Sequence, residues 1–473
     1  MKLRPNLVLA ICCLSLLLVS MDVTIVNVAL PAIRRDLRTT TAGLQWVIDS
    51  YTLVLASLLM LSGSIADRFG RRRVFQVGLT LFTAASALCS VAPNLGVLVV
   101  FRMLQAVGAS MLNPVAMSII TNVFIEPKAR ARAIGTWGAV VGIAMGLGPL
   151  IGGWLTEAVN WRSIFWINVP IGMAALVLSQ LFVPESKAPR ARRADPVGQL
   201  AMLAALASVT YAVIEGPRLG WGSPLVVGLF AGTVLAVVVL LVVEPRIQEP
   251  LVDLRFFRSV PFSSATLVAV LAFGSFSGFL FLNALYLQEV RGLAAFRTGL
   301  FTLPLAFAAV VCSPISGWLV GRSGTRLPLV LAGAGMALSA LLMATLDATT
   351  PLARVVAAYA VFGVGFGLVN PPITNTAVSG MPRARAGLAA AIASTSRQVG
   401  AALGVAIGGT IAQGGHGGEL TSALRPFFVL AALAGLGIVA LGVLSSSAWS
   451  RETVRRTAAL IEEGDRPAAG AAS

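Results

Sequence analysis

Long apolar runs separated by short polar punctuation set the rhythm of this chain. Fourteen segments stand out, near 7–30, 44–66, 74–92, 95–121, 133–158, 164–183, 197–215, 224–243, 262–288, 298–320, 327–346, 352–378, 387–412 and 426–446. Each is close to the ~20 apolar residues a helix needs to cross a bilayer. The pattern predicts an all-α integral membrane protein with 14 transmembrane helices. Two longer polar links interrupt the rhythm: the Pro-bounded PESKAPRARRAD after Val183, and Glu244 to Ser259, which contains EPLVDLRFF. They bracket spans 7 and 8, leaving six spans on either side. The expected organisation is an N-terminal six-helix half over 1–183, a linker with two additional helices over 184–258, a C-terminal six-helix half over 259–449, and a tail over 450–473, disordered after Asp465.

Charge orients these spans. Between spans 2 and 3 lies GSIADRFGRRR, with Asp67 beside Arg68, Arg71, Arg72 and Arg73. Loops this short and basic stay on the cytoplasmic side. Gly63 and Gly70 are placed where two helices turn sharply and approach closely, and Asp67 is placed to cap a helix or pair with Arg71. An even span count then puts both termini inside a cytoplasmic (inner) membrane. Arg34, Arg35 and Arg38 in the first outer loop run against the rule, with Asp36 offsetting one of them. Lys2 and Arg4 precede the first apolar run in the manner of a signal peptide. That run continues to Leu30 and lacks a small-residue cleavage site, so it reads as a retained helix.

The six-span blocks carry an internal repeat. Gly317-x-x-x-Gly321-Arg322-x-Gly324 occupies the place of the Gly63–Arg73 loop, with Gly321 where Asp67 stands. Gly108-x-x-x-x-Asn113-Pro114 matches Gly365-x-x-x-x-Asn370-Pro371, and Arg-Ala-Arg-Ala follows each, from Arg130 and from Arg383. Two pseudo-symmetric halves around a central cavity are implied.

Composition narrows the class further. Of 473 residues 57% are hydrophobic and 11% charged, against about 25% charged in soluble domains. Mean hydropathy is +0.87. The net charge of +16 is what topology requires, and no nucleic-acid partner is needed. Cys12, Cys13, Cys89 and Cys312 all lie in apolar runs without zinc-ligand spacing, and His416 is the one histidine. No metal site, cofactor or enzymatic cluster is expected. The partners expected are a small-molecule substrate, protons and the lipid bilayer, for a monomeric chain.

Charges inside spans are costly and mark function by default. Asp22, Asp49 and Arg102 lie at similar depth on spans 1, 2 and 4 and are placed to meet in one cluster, for proton coupling or as a static ion pair that holds the helices together. Asp49, the shallowest, is alternatively placed to snorkel to the interface. Arg102 shares a helical face with Gln105, Ala109 and Asn113, whereas Asn27 points away from Asp22. Gln105, Asn113 and Arg397, which lies near the middle of span 13, are candidates for a substrate cavity. Arg397 has no obvious acid beside it; it is suited to an anionic group, to balancing Asp22 or Asp49, or to backbone carbonyls. Span 5 carries Gly138, Gly142 and Gly146, then Gly148, Pro149, Gly152 and Gly153, a ladder that permits close packing and a bend. Span 13 repeats it with Gly400, Gly404 and Gly408. Glu215 and Glu289, at outer helix ends, are assigned no role.

These residues carry a family resemblance over nearly the whole chain. Gly-x-x-x-Asp-Arg-x-Gly-Arg-Arg-Arg from Gly63 resembles the signature loop between helices 2 and 3 of the major facilitator superfamily. MDVTIVNVALP (Met21–Pro31), WRSIFWINVPIG (Trp161–Gly172) and SRQVGAALG (Ser396–Gly404) look like its 14-helix drug:proton antiporter branch, the QacA/EmrB-like transporters. FRMLQAVGAS resembles the fourth-helix motif, with Ala106 in place of a common glycine. The ladder with Gly148-Pro149-Leu150-Ile151-Gly152-Gly153 resembles a motif typical of exporters. The resemblance implies proton-driven multidrug efflux of hydrophobic or cationic drugs and toxic compounds by alternating access, with residues 63–71 as a gating loop. The alternatives are a dedicated exporter of one endogenous metabolite or antibiotic, for self-resistance, and a non-transporting membrane sensor.

Overall fold

The computed structural model describes residues 4–187, 195–247, 250–379, 381, 385–413 and 420–465. Arg190, Arg192 and Arg193 of the first link, the second Arg-Ala-Arg-Ala at Arg383, His416 and the tail beyond Asp465 lie outside the described residues.

The first half comprises α1 (Pro5–Asp36), α2 (Thr41–Phe69), α3 (Arg71–Ser90), α4 (Leu95–Val123), α5 (Pro127–Ala158), α6 (Ser163–Trp166) and α7 (Asn168–Phe182). The insert is α8 (Pro196–Leu219) and α9 (Pro224–Val243). The second half is α10 (Val260–Leu285), α11 (Ala295–Ser323), α12 (Arg326–Ala344), α13 (Leu352–Val378), α14 (Ala386–Ala412) and α15 (Leu420–Ser445), followed by α16 (Ala448–Asp465). Side chains set several of the boundaries. Thr40, Asn94, Asp195 and Ser223 each accept a hydrogen bond from a backbone N–H in the first turn of the helix that follows. Gly70 closes α2 and opens α3 at φ +115°, a conformation a side chain would strain. It is the hinge residue that Gly63 is not. Gly63 lies inside α2 with open space where a Cβ would point, so the expected close approach there does not occur.

Several helices outrun their apolar segments, because hydropathy marks the lipid-embedded stretch while intrahelical bonding continues into the interface. α1 runs on to Asp36, α15 begins at Leu420, and the charged segment before Asp465 is helical as α16, where Thr453 accepts from the Val260 N–H of α10 at 3.1 Å. Span 6 is broken at Ile167 into α6 and α7, a break the sequence pattern does not predict. Thirteen described helices are long and apolar enough to cross a membrane. The fourteenth, α14, falls short in apolarity through its run Ser394–Thr395–Ser396–Arg397–Gln398.

Each half packs mainly within itself, through α1·α5, α3·α4 and α2·α4 in the first and α10·α14, α12·α15 and α11·α13 in the second. Equivalent contacts recur at a constant spacing. A Cβ on Gly78 would lie 3.0 Å from Gly108 O, and one on Gly335 would lie 3.3 Å from Gly365 Cα. The halves meet along two seams, α5 with α11 and α2 with α14. The insert pair covers the second seam, with α8 packed on both α2 and α14.

Both seams are tight at the end of the bundle opposite the Gly63–Arg73 loop, here termed the far end. Arg34 pairs with Glu289 at 3.0 Å, Gln288 donates to Val28 O at 2.8 Å, and Glu157 accepts from the Phe296 N–H at 3.0 Å. Gln45 donates to Ala406 O at 2.7 Å, and Gln413 donates to Gln45 at 3.0 Å. Along α5 and α11, a Cβ on Gly153 would lie 2.4 Å from Ala295 O and one on Gly299 2.3 Å from Pro149 O. Gly142 still faces Val310, but Gly138, Gly135 and Gly317 face open space. Beyond that level, toward the basic loop, no hydrogen bond or ion pair joins described residues of the two halves. The arrangement is closed at the far end and parted toward the basic end.

Candidate functional site

The first half encloses a buried polar network built from five spans. Asp22, on α1 and fully buried, accepts from Arg102 Nη1 at 2.5 Å, Gln105 Nε2 at 2.9 Å and Asn168 Nδ2 at 3.1 Å. Arg102 and Gln105 are one helical turn apart on α4, and Arg102 Nη1 also donates to Gln105 Oε1 at 2.7 Å. Ser86 on α3 accepts from Gln105 and from Asn168 and donates to Phe165 O. Arg102 Nε donates to Val47 O on α2 at 3.2 Å, and its guanidinium lies 4.2 Å from the centre of the Tyr51 ring. An aromatic face attracts a desolvated cation in this geometry.

The chemistry of the network follows from its donors. All three neighbours of Asp22 donate to it, which is the pattern around a carboxylate that has given up its proton. A protonated Asp22 has a hydrogen to place and no longer carries the charge that strengthens the three contacts, the one from the Arg102 guanidinium above all. Because Arg102 also holds Val47 O, and Asn168 opens α7, a change at Asp22 reaches α2, α4 and α7 at once.

The sequence reading placed Asp22 beside Arg102 correctly. It did not bring Asp49 into the same place. Asp49 is 0% exposed and neither carboxylate oxygen has a partner among the described residues. It neither joins the Arg102 cluster nor snorkels to the interface. Gln45, one turn away on the same helix face, reaches carbonyls of α14, which aims Asp49 at the α2/α14 seam. Gln105 is also fully buried within the network rather than lining a cavity. Asn113 and Arg397 are both half-buried; Asn113 Oδ1 and Arg397 Nε are shielded and unpartnered.

At the basic loop, Asp67 accepts from Arg71 Nη2 at 3.0 Å and from Nε at 3.2 Å, across the bend at Gly70. Arg68 stacks on the neighbouring Phe69 ring. Glu185, just beyond α7, accepts from the backbone N–H groups of Arg72 and Arg73 at the start of α3. In the glycine helix, Gly148 and Gly152 abut Thr24 and Ile25 of α1, and a Cβ on Gly146 would lie 3.3 Å from Ala306 Cβ, a tight contact that a small shift relieves. Gly138 packs against nothing, so the ladder seals the far half of α5 only.

Four participants escaped the sequence reading: Ser86, Asn168, Tyr51 and Gln45. Short polar residues in apolar runs are common, and only the tertiary contact distinguishes these. Glu289 and Glu215, assigned nothing from sequence, pair with Arg34 and with Trp46 and Arg218. A cleft of about 430 Å³ at the far end, lined by Pro217, Arg218, Trp221, Thr410, Ile411 and Gln413, sits on the covered seam away from Asp22.

Comparison with known proteins gives this architecture a context. Residues 12–405 match the family described as Major Facilitator Superfamily. The chain is 38% identical over 398 residues to Multidrug resistance protein Stp of Mycobacterium tuberculosis, covering 84% of this chain and 74% of that protein. It is 36% identical to the Tetracenomycin C resistance and export protein of Streptomyces glaucescens, over 86% of this chain and 76% of that one. It is 39% identical to Puromycin resistance protein pur8 of Streptomyces alboniger, over 84% and 80%. Among solved structures, a bacterial homologue of human drug peptide transporters superposes with a TM-score of 0.67 at 15% identity, covering 96% of this chain and all of that one.

Proposed function

The chain belongs to the Major Facilitator Superfamily, and from that membership we propose that it is a proton-coupled efflux transporter exporting small toxic compounds by alternating access. The observation that carries the reading is the fully buried Asp22–Arg102–Gln105–Asn168 network. The basic loop faces the cytoplasm of a cell-membrane protein with both termini inside. The described conformation, tight at the far end, is then inward-open. The functional division follows the two halves, 1–183 and 259–449, with 184–258 as a linker bearing two additional helices; the unit is a monomer without a cofactor.

In this mechanism a proton arriving from outside neutralises Asp22 and releases part of the hold on Arg102. Substrate binding from inside favours the state in which Asp22 gives the proton up. Coupling follows because each ligand prefers a different state of one equilibrium. Asp49, unpartnered at the α2/α14 seam, is a second protonatable group whose surroundings change when that seam opens. Asp67 with Arg71, Arg68, Gly63 and Gly70 forms the gating loop. Gly146 to Gly153 let α5 close on α11.

The printed functions of the relatives support two ranges of substrate. Stp is named for multidrug resistance, whereas the tetracenomycin C and puromycin proteins are named for single antibiotics. The test is substrate-induced proton release from purified protein together with pH-gradient-driven flux in proteoliposomes, across a panel of toxic compounds. Release and flux with many compounds indicate a multidrug exporter, and with one compound a dedicated one. Flux indifferent to the pH gradient would rule out proton coupling.

A further inference from the structure

Arg397 is the one charge on α14, and its surroundings differ from those of Arg102, the arginine buried in the first half. Helices α10 to α15 contain no Asp or Glu. Arg397 forms no ion pair with Asp22, Asp49 or any other described carboxylate. Its Nη2 donates to Thr374 Oγ1 on α13 at 2.6 Å, its guanidinium lies 5.8 Å from the centre of the Phe273 ring on α10, and its Nε is shielded without a partner. Nη1 donates to no described residue. One turn from Thr374 on the same face of α13, Asn370 presents a shielded carbonyl oxygen that also lacks a partner. The guanidinium therefore sits in a crevice between α10, α13 and α14, held from one side and unsatisfied on the other.

A desolvated cation with free donors is costly unless something supplies the missing charge. Contrast Arg102, whose Nη1 is held by Asp22 and Gln105 and whose Nε is held by Val47 O, so that its charge is paired. Arg397 is half-buried, so part of its side chain is reachable, and its helix packs against α10 through glycines. Gly400 and Gly404 bring the α14 backbone onto Val270 and Gly274. Beside the guanidinium, Phe273 lies 5.1 Å from Phe366, which stacks on Phe276 at 4.1 Å. Phe273, half-buried, is the ring of this series that faces out of the packed core.

We propose that Arg397, with Thr374 and Phe273, forms the binding subsite for an oxyanion carried on a planar aromatic body: a carboxylate, phenolate or enolate. A guanidinium fork matches such a group in its plane, and the phenylalanine edge supplies the apolar wall beside it. The subsite rests on the exporter reading and adds to it a substrate class, aromatic monoanions. Thr374 positions the guanidinium by holding one N–H of Nη2 and leaves Nη1, with the second Nη2 N–H, as the pair that faces the ligand.

The test uses purified full-length protein in detergent and two probes, 1-pyrenebutyrate as an aromatic monoanion and ethidium as an aromatic cation, with binding read by quenching of tryptophan fluorescence. Pyrenebutyrate binds the wild type, and Arg397→Gln weakens it by about tenfold or more, the scale of a lost charge-assisted fork. Arg397→Lys, which keeps the charge and loses the fork, falls between the two. Thr374→Val, which leaves the charge in place, weakens pyrenebutyrate roughly two- to threefold, the loss expected of a single positioning hydrogen bond. Ethidium affinity is the same in wild type and Arg397→Gln, which also reports that the variant is folded. Absence of pyrenebutyrate binding by the wild type, or equal affinity in wild type and Arg397→Gln, overturns the subsite. Gradient-driven ethidium flux in proteoliposomes is read in parallel. If it persists while the anion fails to bind, the export reading stands and only the anion subsite falls.

Discussion

The two halves share a backbone plan and place opposite chemistry at equivalent positions. A spacing of 257 residues relates Gly78 to Gly335, Gly108 to Gly365 and Asn113 to Asn370. The same spacing relates Asp22 to Phe279, Arg102 to Tyr359, Gln105 to Phe362 and Ala109 to Phe366. In the first half Asp22 bonds to Arg102 and Gln105; in the second Phe279 packs on Tyr359 at 5.1 Å and on Phe362 at 4.6 Å. A charge network in one half is thus replaced, contact for contact, by an aromatic stack in the other. The stack contains no carboxyl, its one titratable group being the Tyr359 phenol, whereas the network has two protonation states at Asp22. Under the proposed proton coupling, the difference assigns proton sensing to the first half and the part of a rigid counterpart to the second. The lone charge of the second half's core, Arg397, is correspondingly left for a ligand.

Changes at the network are expected to have the largest effects. Asp22→Asn removes the group that changes charge, so gradient-driven accumulation falls to background while substrate still binds; undiminished substrate-induced proton release by this variant moves the role to Asp49. Arg102→Ala strips a buried carboxylate of its cation, a loss of about 3–5 kcal/mol. It is expected to lower the thermal midpoint as well as abolish flux, and an unchanged midpoint in a detergent melt contradicts it.

On the aromatic side, Phe279→Ala leaves a cavity at a cost of roughly 3 kcal/mol or less. That is the low end for such truncations, because lipid tails are as apolar as the core and the transfer contribution drops out. Proton release by this variant should remain, after correction for folded protein. Its disappearance would dissolve the division of labour between the halves.

The seam between the halves gives a smaller, graded effect. A Cβ at Gly153 would lie 2.4 Å from Ala295 O, and one at Gly146 would lie 3.3 Å from Ala306 Cβ. Gly153→Ala should part the far end and lengthen spin-label distances across it. Gly146→Ala should change them little, and Gly146→Leu should behave like the Gly153 variant. Identical distances in all three variants count against closure through this seam. Asp67→Asn is expected to be mildest, slowing flux a few-fold without altering insertion, since it loses the pair with Arg71 on a half-exposed loop where such pairs contribute about 1 kcal/mol or less. Flux equal to wild type at matched protein level removes the loop from the gate.

How far the sequence reached depended on how local each signal is. Bilayer thickness fixes the length of an apolar run, and loop charge is read along the chain, so the span count, the insert and the repeat were all legible in order of residues. Asp22 beside Arg102 was legible too, because charges in spans are few and their depths can be counted at a fixed rise per residue. Rotation about a helix axis and contact between distant helices are set by packing, which the linear pattern underdetermines. Only the tertiary structure could therefore turn Asp49 away from Arg102 toward α14, bring Ser86 and Asn168 to Asp22, and pair Arg34 with Glu289 across the halves. It also decided that Gly138 meets nothing while Gly153 meets backbone, and that Arg397 stands without an acid. The sequence by itself determined which residues lie in the membrane and which pattern repeats; the fold decided which of them face one another, because helix–helix contact inside a bilayer depends on shape and hydrogen-bond geometry rather than on hydropathy.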